Sequence, residues 1–182
     1  HTCHRAGRQR RHPAACLDDV EIDELYIKQY DANVRTRNVK GELYLSLKYA
    51  DARIGKVGKS NFDLYDSEAE IEQTGDVYIE SKYSEINIRS TGSLEMDTYD
   101  DEFEIGTVNG ELGIDDKYSE FEIESAASAK VRIYDGELVL GNVGAFNGHT
   151  KYSEISIIDA TSVDLERSYD DSYVIRNLGS FN

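Results

Sequence analysis

The chain has 182 residues, 39% hydrophobic and 31% charged, with a formal net charge of −16; this suits one domain whose elements bury one face and leave the other in water. No run approaches the roughly 18 apolar residues of a membrane-spanning helix, and no apolar core follows the early basic residues as an export signal requires. So acidic a surface repels nucleic acid and anionic lipid, which excludes both as expected partners.

Residues 1–16 differ in composition from everything after them. They hold Arg5, Arg8, Arg10, Arg11, His1, His4, His12, both cysteines (Cys3 and Cys16) and the only proline, Pro13, and no acidic residue. A disordered or non-native tail is the expectation here. Cys3, His4, His12 and Cys16 match no zinc-ligand spacing.

From residue 17 to 182 the sequence is periodic. Tyr30, Tyr65, Tyr99, Tyr134 and Tyr169 lie 34 or 35 residues apart, each followed by Asp; Tyr49, Tyr83, Tyr118 and Tyr152 fall between them, each preceded by Lys. Turn starts at Leu25, Leu43, Ser60, Val77, Leu94, Leu112, Ala129, Phe146 and Val163 are spaced by 17 or 18. Eleven places on, a second ladder reads Thr36, Ile54, Ile71, Ile88, Ile105, Ile123, Leu140, Ile157 and Val174. A constant offset over nine turns is the mark of a repeat architecture.

Within a turn the apolar period is two, as in a strand. Val77 and Ile79 face in with Tyr78 and Glu80 out, then Ile86 and Ile88 face in with Glu85 and Asn87 out. The inward parity shifts between these two strands, so two adjacent residues must point outward at a bend, and the Lys-Tyr or Tyr-Asp pair occupies it. A small residue follows (Ala32, Ala50, Ser67, Ser84, Ser119, Gly136, Ser153), with Asp101 and Asp170 as exceptions. The other corner carries glycines, as at Gly55 and Gly58, Gly106 and Gly110, Gly141 and Gly144, expected to supply positive φ while Val57, Val108 or Val143 fills the corner from inside. The last turn holds one residue more, which shifts Tyr173 and Ile175 against the ladder. Phe181 opens a tenth turn, so the repeat reads as cut short at its C-terminal end.

A 17-residue turn cannot bury its own apolar face, so equivalent positions must cover one another. The expected fold is therefore all-β, a single parallel β-solenoid of about nine turns, with Ile71 beneath Ile88 beneath Ile105 and a rod roughly 43 Å long at ~4.8 Å per turn. Crossover chirality favours a right-handed β-helix. An antiparallel meander is the competing arrangement; it would separate the like residues.

Stacked in this way, the bend gives one column reading Tyr30, Lys48, Tyr65, Lys82, Tyr99, Lys117, Tyr134, Lys151 and a second reading Asp31, Tyr49, Asp66, Tyr83, Asp100, Tyr118, Asp135, Tyr152. Each lysine is expected to sit between aromatic rings, a contact of about 0.5–1 kcal/mol at exposed sites. Candidate binding residues are Tyr49, Tyr65, Tyr83, Tyr99, Tyr118, Tyr134 and Tyr152 with Lys82 and Lys117. A third column, Asp51, Glu68, Glu85, Glu102, Glu120, Glu137, Glu154 and Asp171, is an acidic strip. Glu68, Glu85, Glu102 and Glu120 are its candidate divalent-cation ligands, set against a solvated face with splayed side chains. No cofactor is expected. The pairs Asp100-Asp101 and Asp170-Asp171 belong to the repeat rather than breaking it, and His149, the only histidine of the body, is expected to point outward beside Thr150 and Lys151. With no nucleophile elbow or phosphate loop, the chain reads as a non-enzyme.

The KYSE and TYDDEFEI segments, with GNVG and GTVNG corners between them, resemble the adhesin-like repeat families of bacterial cell-envelope proteins, Bacteroidetes versions above all. The resemblance covers Leu17 to Asn182 and rests on repeat texture. It implies export, a β-solenoid and an adhesive or envelope role with a glycan or envelope protein as partner, and it supplies no catalytic residues. Two alternatives stand beside it: a polysaccharide-active β-helix enzyme and a purely structural spacer.

Overall fold

The computed structural model describes residues 15–17, 19 and 21–181; Cys3, His4 and His12 lie outside the described residues. Period-two patterning produces thirteen strands: β1 (Ala15–Leu17), β2 (Glu24–Tyr30), β3 (Val34–Lys48), β4 (Asp51–Tyr65), β5 (Glu68–Thr74), β6 (Val77–Lys82), β7 (Glu85–Thr91), β8 (Leu94–Tyr99), β9 (Glu102–Lys117), β10 (Glu120–Tyr134), β11 (Glu137–Lys151), β12 (Glu154–Tyr169) and β13 (Ser172–Phe181). Every pairing is parallel, and each strand bonds to the equivalent strand one turn away. The chain is a β-solenoid, and the antiparallel meander is excluded.

Like residues lie directly over one another. Ile71 pairs with Ile88 and Ile88 with Ile105; Leu94 pairs with Leu112. The interior is a stack of such columns, all buried, in which Phe103 and Phe121 stack at 5.1 Å and 15°. Each large aliphatic residue held there contributes roughly 1.5–3 kcal/mol relative to exposure. Thr36 takes a place in the isoleucine column, and its Oγ1 is a buried oxygen without a hydrogen-bond partner.

Three sequence expectations need correction. Two strands per turn are found only in the middle, at β5/β6 and β7/β8; elsewhere one strand of 15 or 16 residues runs unbroken around the glycine corner. None of the described glycines has a positive φ. They are needed instead because adjacent turns pass too closely: a Cβ on Gly55 would lie 1.9 Å from the Arg37 carbonyl oxygen, and one on Gly141 would lie 2.2 Å from that of Glu124. Valines 57, 108 and 143 do fill this corner from inside. The extra residue of an 18-residue turn is absorbed at the same place, where register shifts after Val39 and near Ala126.

The last turn holds the extra residue expected of it: pairing jumps from Gly148–Leu165 to His149–Arg167, which makes Glu166 the inserted residue, and the third correction falls on the columns carried through Val174 and Asp171. Beyond Glu166 every residue moves one place. Ile175, not Val174, pairs with Ile157; Tyr173 faces the core, and Val174 is exposed. Ser172, not Asp171, continues the acidic column, and Asp171, not Asp170, takes the small-residue corner place. Insertion of one residue in a strand exchanges its two faces, which is why the effect runs to the chain's end.

Candidate functional site

The bend is the most regular feature of the surface. At nine successive turns its second residue adopts a left-handed conformation, φ between 48° and 72°: Asp31, Tyr49, Asp66, Tyr83, Asp100, Tyr118, Asp135, Tyr152 and Asp170. Aspartate tolerates this region, but tyrosine has no such preference, so four tyrosines held there require compensation from their surroundings. Their rings provide it. Tyr30, Tyr49, Tyr65, Tyr83, Tyr99, Tyr118, Tyr134, Tyr152 and Tyr169 form one unbroken edge-to-face series, with centroids 5.3–5.9 Å apart and planes at 78–90°.

The two-turn period explains that geometry. Identical columns place rings directly over one another, as with Tyr26 and Tyr44, which stack at 4.4 Å and 6°. Alternating Tyr-Asp with Lys-Tyr moves each successive ring sideways by one residue, and offset rings meet edge to face, the arrangement their quadrupoles prefer. Tyr49, Tyr83, Tyr118 and Tyr152 are 40–46% exposed, while Tyr65, Tyr99 and Tyr134 are half-buried between them. Desolvation first, then neighbouring tyrosines, raises the Tyr83 and Tyr118 hydroxyls above their ordinary value of 10.0, so they stay protonated and can both donate and accept.

Lysine alternates with tyrosine in the first column as expected, but ring contact is partial. Lys48 lies 4.5 Å from the Tyr65 centroid and Lys151 lies 4.7 Å from that of Tyr152. Lys82 and Lys117 are not over rings, although the tyrosines around them meet edge to face just as they do around Lys48 and Lys151.

Beneath the bend, the corner residue's N–H is turned away from the main-chain ladder and is taken by the side chain of the next turn. Ser67 N–H donates to Ser84 Oγ at 3.3 Å, Ser84 N–H to Asp101 Oδ1 at 2.7 Å, and Asp101 N–H to Ser119 Oγ at 3.0 Å. Gly136 has no side chain to receive the next bond, and Ser119 N–H donates to Asp116 Oδ2 at 3.2 Å instead. A Cβ on Gly136 would meet that same oxygen at 2.9 Å, so glycine and aspartate share one space. Asp116 also accepts from Thr98 Oγ1 at 2.7 Å, and Asp101 from Ser81 Oγ and Tyr99 N–H. Burial pushes Asp101 up to about 6 against these bonds, with the Asp116 charge adding to the rise; burial also raises Asp116. Sequence reading missed Asp116. Its signal was a charged residue in the inward column Ser81, Thr98, Asp116, Ile133, paired with glycine one corner away.

Glu68, Glu85, Glu102 and Glu120 lie in register on successive turns and are all exposed. Among the described residues no three His, Cys, Asp or Glu side chains are grouped to hold a metal ion. Between this column and the tyrosines runs a shallow groove of about 450 Å³, lined by Tyr83, Tyr118, Asp100, Glu85, Glu102 and Glu120 among others. It offers aromatic surface on one side and hydrogen-bond acceptors on the other. His149 is partly exposed between Arg132 and Arg167, whereas its neighbour Thr150 faces inward, donating to Asp171. Among the described residues no helix is long and apolar enough to cross a membrane. Comparison with family models, curated proteins and solved structures finds no match.

Proposed function

We propose that this chain is an exported, non-catalytic, adhesin-like solenoid of a bacterial cell envelope, and that the groove beside its tyrosine corner binds an extended glycan. The observation that carries this reading is the row of part-exposed rings at every turn, flanked along its length by carboxylates. Rings present flat apolar area to sugar C–H groups, and carboxylates accept from sugar hydroxyls. Tyrosines of one column recur every two turns, about 9.6 Å apart at the strand spacing, so a linear polymer meets the same contacts repeatedly. Repetition of weak contacts then builds affinity.

Replacing Tyr83→Ala and Tyr118→Ala together tests it. Retention on a panel of neutral and acidic polysaccharides should fall about tenfold or more, as expected for two rings near 1 kcal/mol each. A wild-type chain that retains none of the panel, or a folded double variant that retains it equally well, would overturn the reading. Cleavage of any polysaccharide in the panel would move the assignment to a polysaccharide-active enzyme. A structural spacer is the second reading, favoured by the rings' contact with one another: it predicts no binding and a large stability loss from the same substitutions.

A further inference from the structure

One outward column on the opposite strand of each turn carries an ordered charge sequence. Asp63, Glu80, Asp97 and Asp115 stand on four successive turns, in register. The next three turns place Arg132, His149 and Arg167 in that same column. All are exposed except His149, which is partly so. The junction carries the column's salt bridge, Arg132–Asp115, and at its far end Asp63 accepts a hydrogen bond from Ser46 Oγ at 3.0 Å, one turn before. Among the described residues Glu80, Asp97, His149 and Arg167 form no ion pair. Four like charges stacked at strand spacing repel one another, and no cation within the column is placed to relieve Glu80 or Asp97.

We propose that this face binds a second copy of the same chain, the two solenoids lying antiparallel about a two-fold axis that runs along the strands between the Asp115 and Arg132 turns. This operation returns the column onto itself with its order reversed. Asp97 then faces His149 of the second copy and Glu80 faces Arg167, while each internal pair faces its own counterpart. The contact is isologous, so every pairing occurs twice. The flanking column obeys the same operation without a clash of charge: Lys130 meets Gly113, Glu95 meets Asn147, and Tyr78 meets Asp164.

Six turns by about six residues cover roughly 29 Å by 20 Å at strand dimensions. That is roughly 600 Å² on each side, at the low end of specific interfaces. The net charge of −16 on each copy opposes association, but charges farther apart than about 8 Å are largely screened at physiological salt, so the facing pairs decide the encounter. A weak, orientation-specific dimer follows. It would place two tyrosine corners on one particle, with the Lys82, Tyr99, Lys117 and Tyr134 column at the edge of the contact, two residues beyond the charged one.

Two variants reveal it, both sparing the Asp115–Arg132 pair. His149→Glu with Arg167→Glu makes the column wholly acidic, and Glu80→Lys with Asp97→Lys makes its acidic half basic. Sedimentation equilibrium over a concentration series should show wild-type self-association. Each variant alone should be weakened at least tenfold, and an equimolar mixture should associate more tightly than either variant does alone. Circular dichroism checks that each is folded, and because all four side chains are outward, refolding of the core is not required. Wild-type chain that remains monomeric throughout, or a mixture no tighter than the separate variants, would overturn the proposal.

Discussion

A serine at the tyrosine corner takes the preceding turn's N–H and returns its own hydroxyl to the carbonyl two residues back, as Ser84 does to Lys82 at 3.0 Å. Asp101 does the first of these tasks with a carboxylate that must be removed from water. Between its ordinary value of 3.8 and its folded value of about 6, the folded chain holds a proton that the unfolded chain has released. This contributes stability that is full below about 3.8 and is lost as the pH rises through about 6. Asp101→Ser should therefore melt progressively higher than wild type as the pH increases from 4 to 8. A difference of a few degrees at the upper end is expected, since about 1 kcal/mol moves the midpoint by roughly 2–4 °C in a chain of this size. A difference in melting temperature that does not vary with pH would refute the account. That Asp101 broke the small-residue rule was legible in the sequence; that Asp116 fills the place vacated at Gly136 was not, because the two lie 20 positions apart and meet only across a turn.

The tyrosine series is the element that the repeat period was hiding. Alternation of Tyr-Asp and Lys-Tyr is plain in the sequence, and it suggested lysine sandwiched between rings. The left-handed backbone at Tyr49, Tyr83, Tyr118 and Tyr152 brings ring against ring at every turn, whereas only Lys48 and Lys151 among these lysines also lie over rings. Tyr99 meets two rings, Tyr83 and Tyr118, whereas Tyr169 meets one ring, Tyr152, with the Lys151 ammonium 5.3 Å from its centroid. Edge-to-face pairs contribute about 0.5–1.5 kcal/mol each, so Tyr99→Ala should cost roughly 1–3 kcal/mol in urea unfolding and Tyr169→Ala about half as much. Equal losses would show that the rings act singly rather than in series.

At the scale of the whole molecule, each turn is stabilised by its neighbours and strained by its charge. The acidic column repeats at every turn from Asp51 to Glu154, and no side chain can move far enough to relieve all its neighbours at once. Raising salt from about 0.01 M to 0.15 M shortens the screening length from roughly 30 Å to 8 Å. The thermal midpoint should rise over that range by several degrees, mostly through this column, and Glu102→Gln with Glu120→Gln should reduce the rise. A midpoint that falls with salt would mean that attractive surface pairs outweigh the repulsion.

By itself the sequence determined the repeat of 17 or 18 residues, the core columns of the turns before the last, and the columns that line the bend. These depend on period and side-chain parity, quantities that a linear chain carries in full. Only the tertiary structure decided that Glu166 is the inserted residue, that glycines serve close passage between turns rather than left-handed backbone, and that tyrosines pack on tyrosines. Each of these depends on distances between atoms one turn apart, where a shift of a single residue exchanges inside for outside and a single Cβ separates contact from collision.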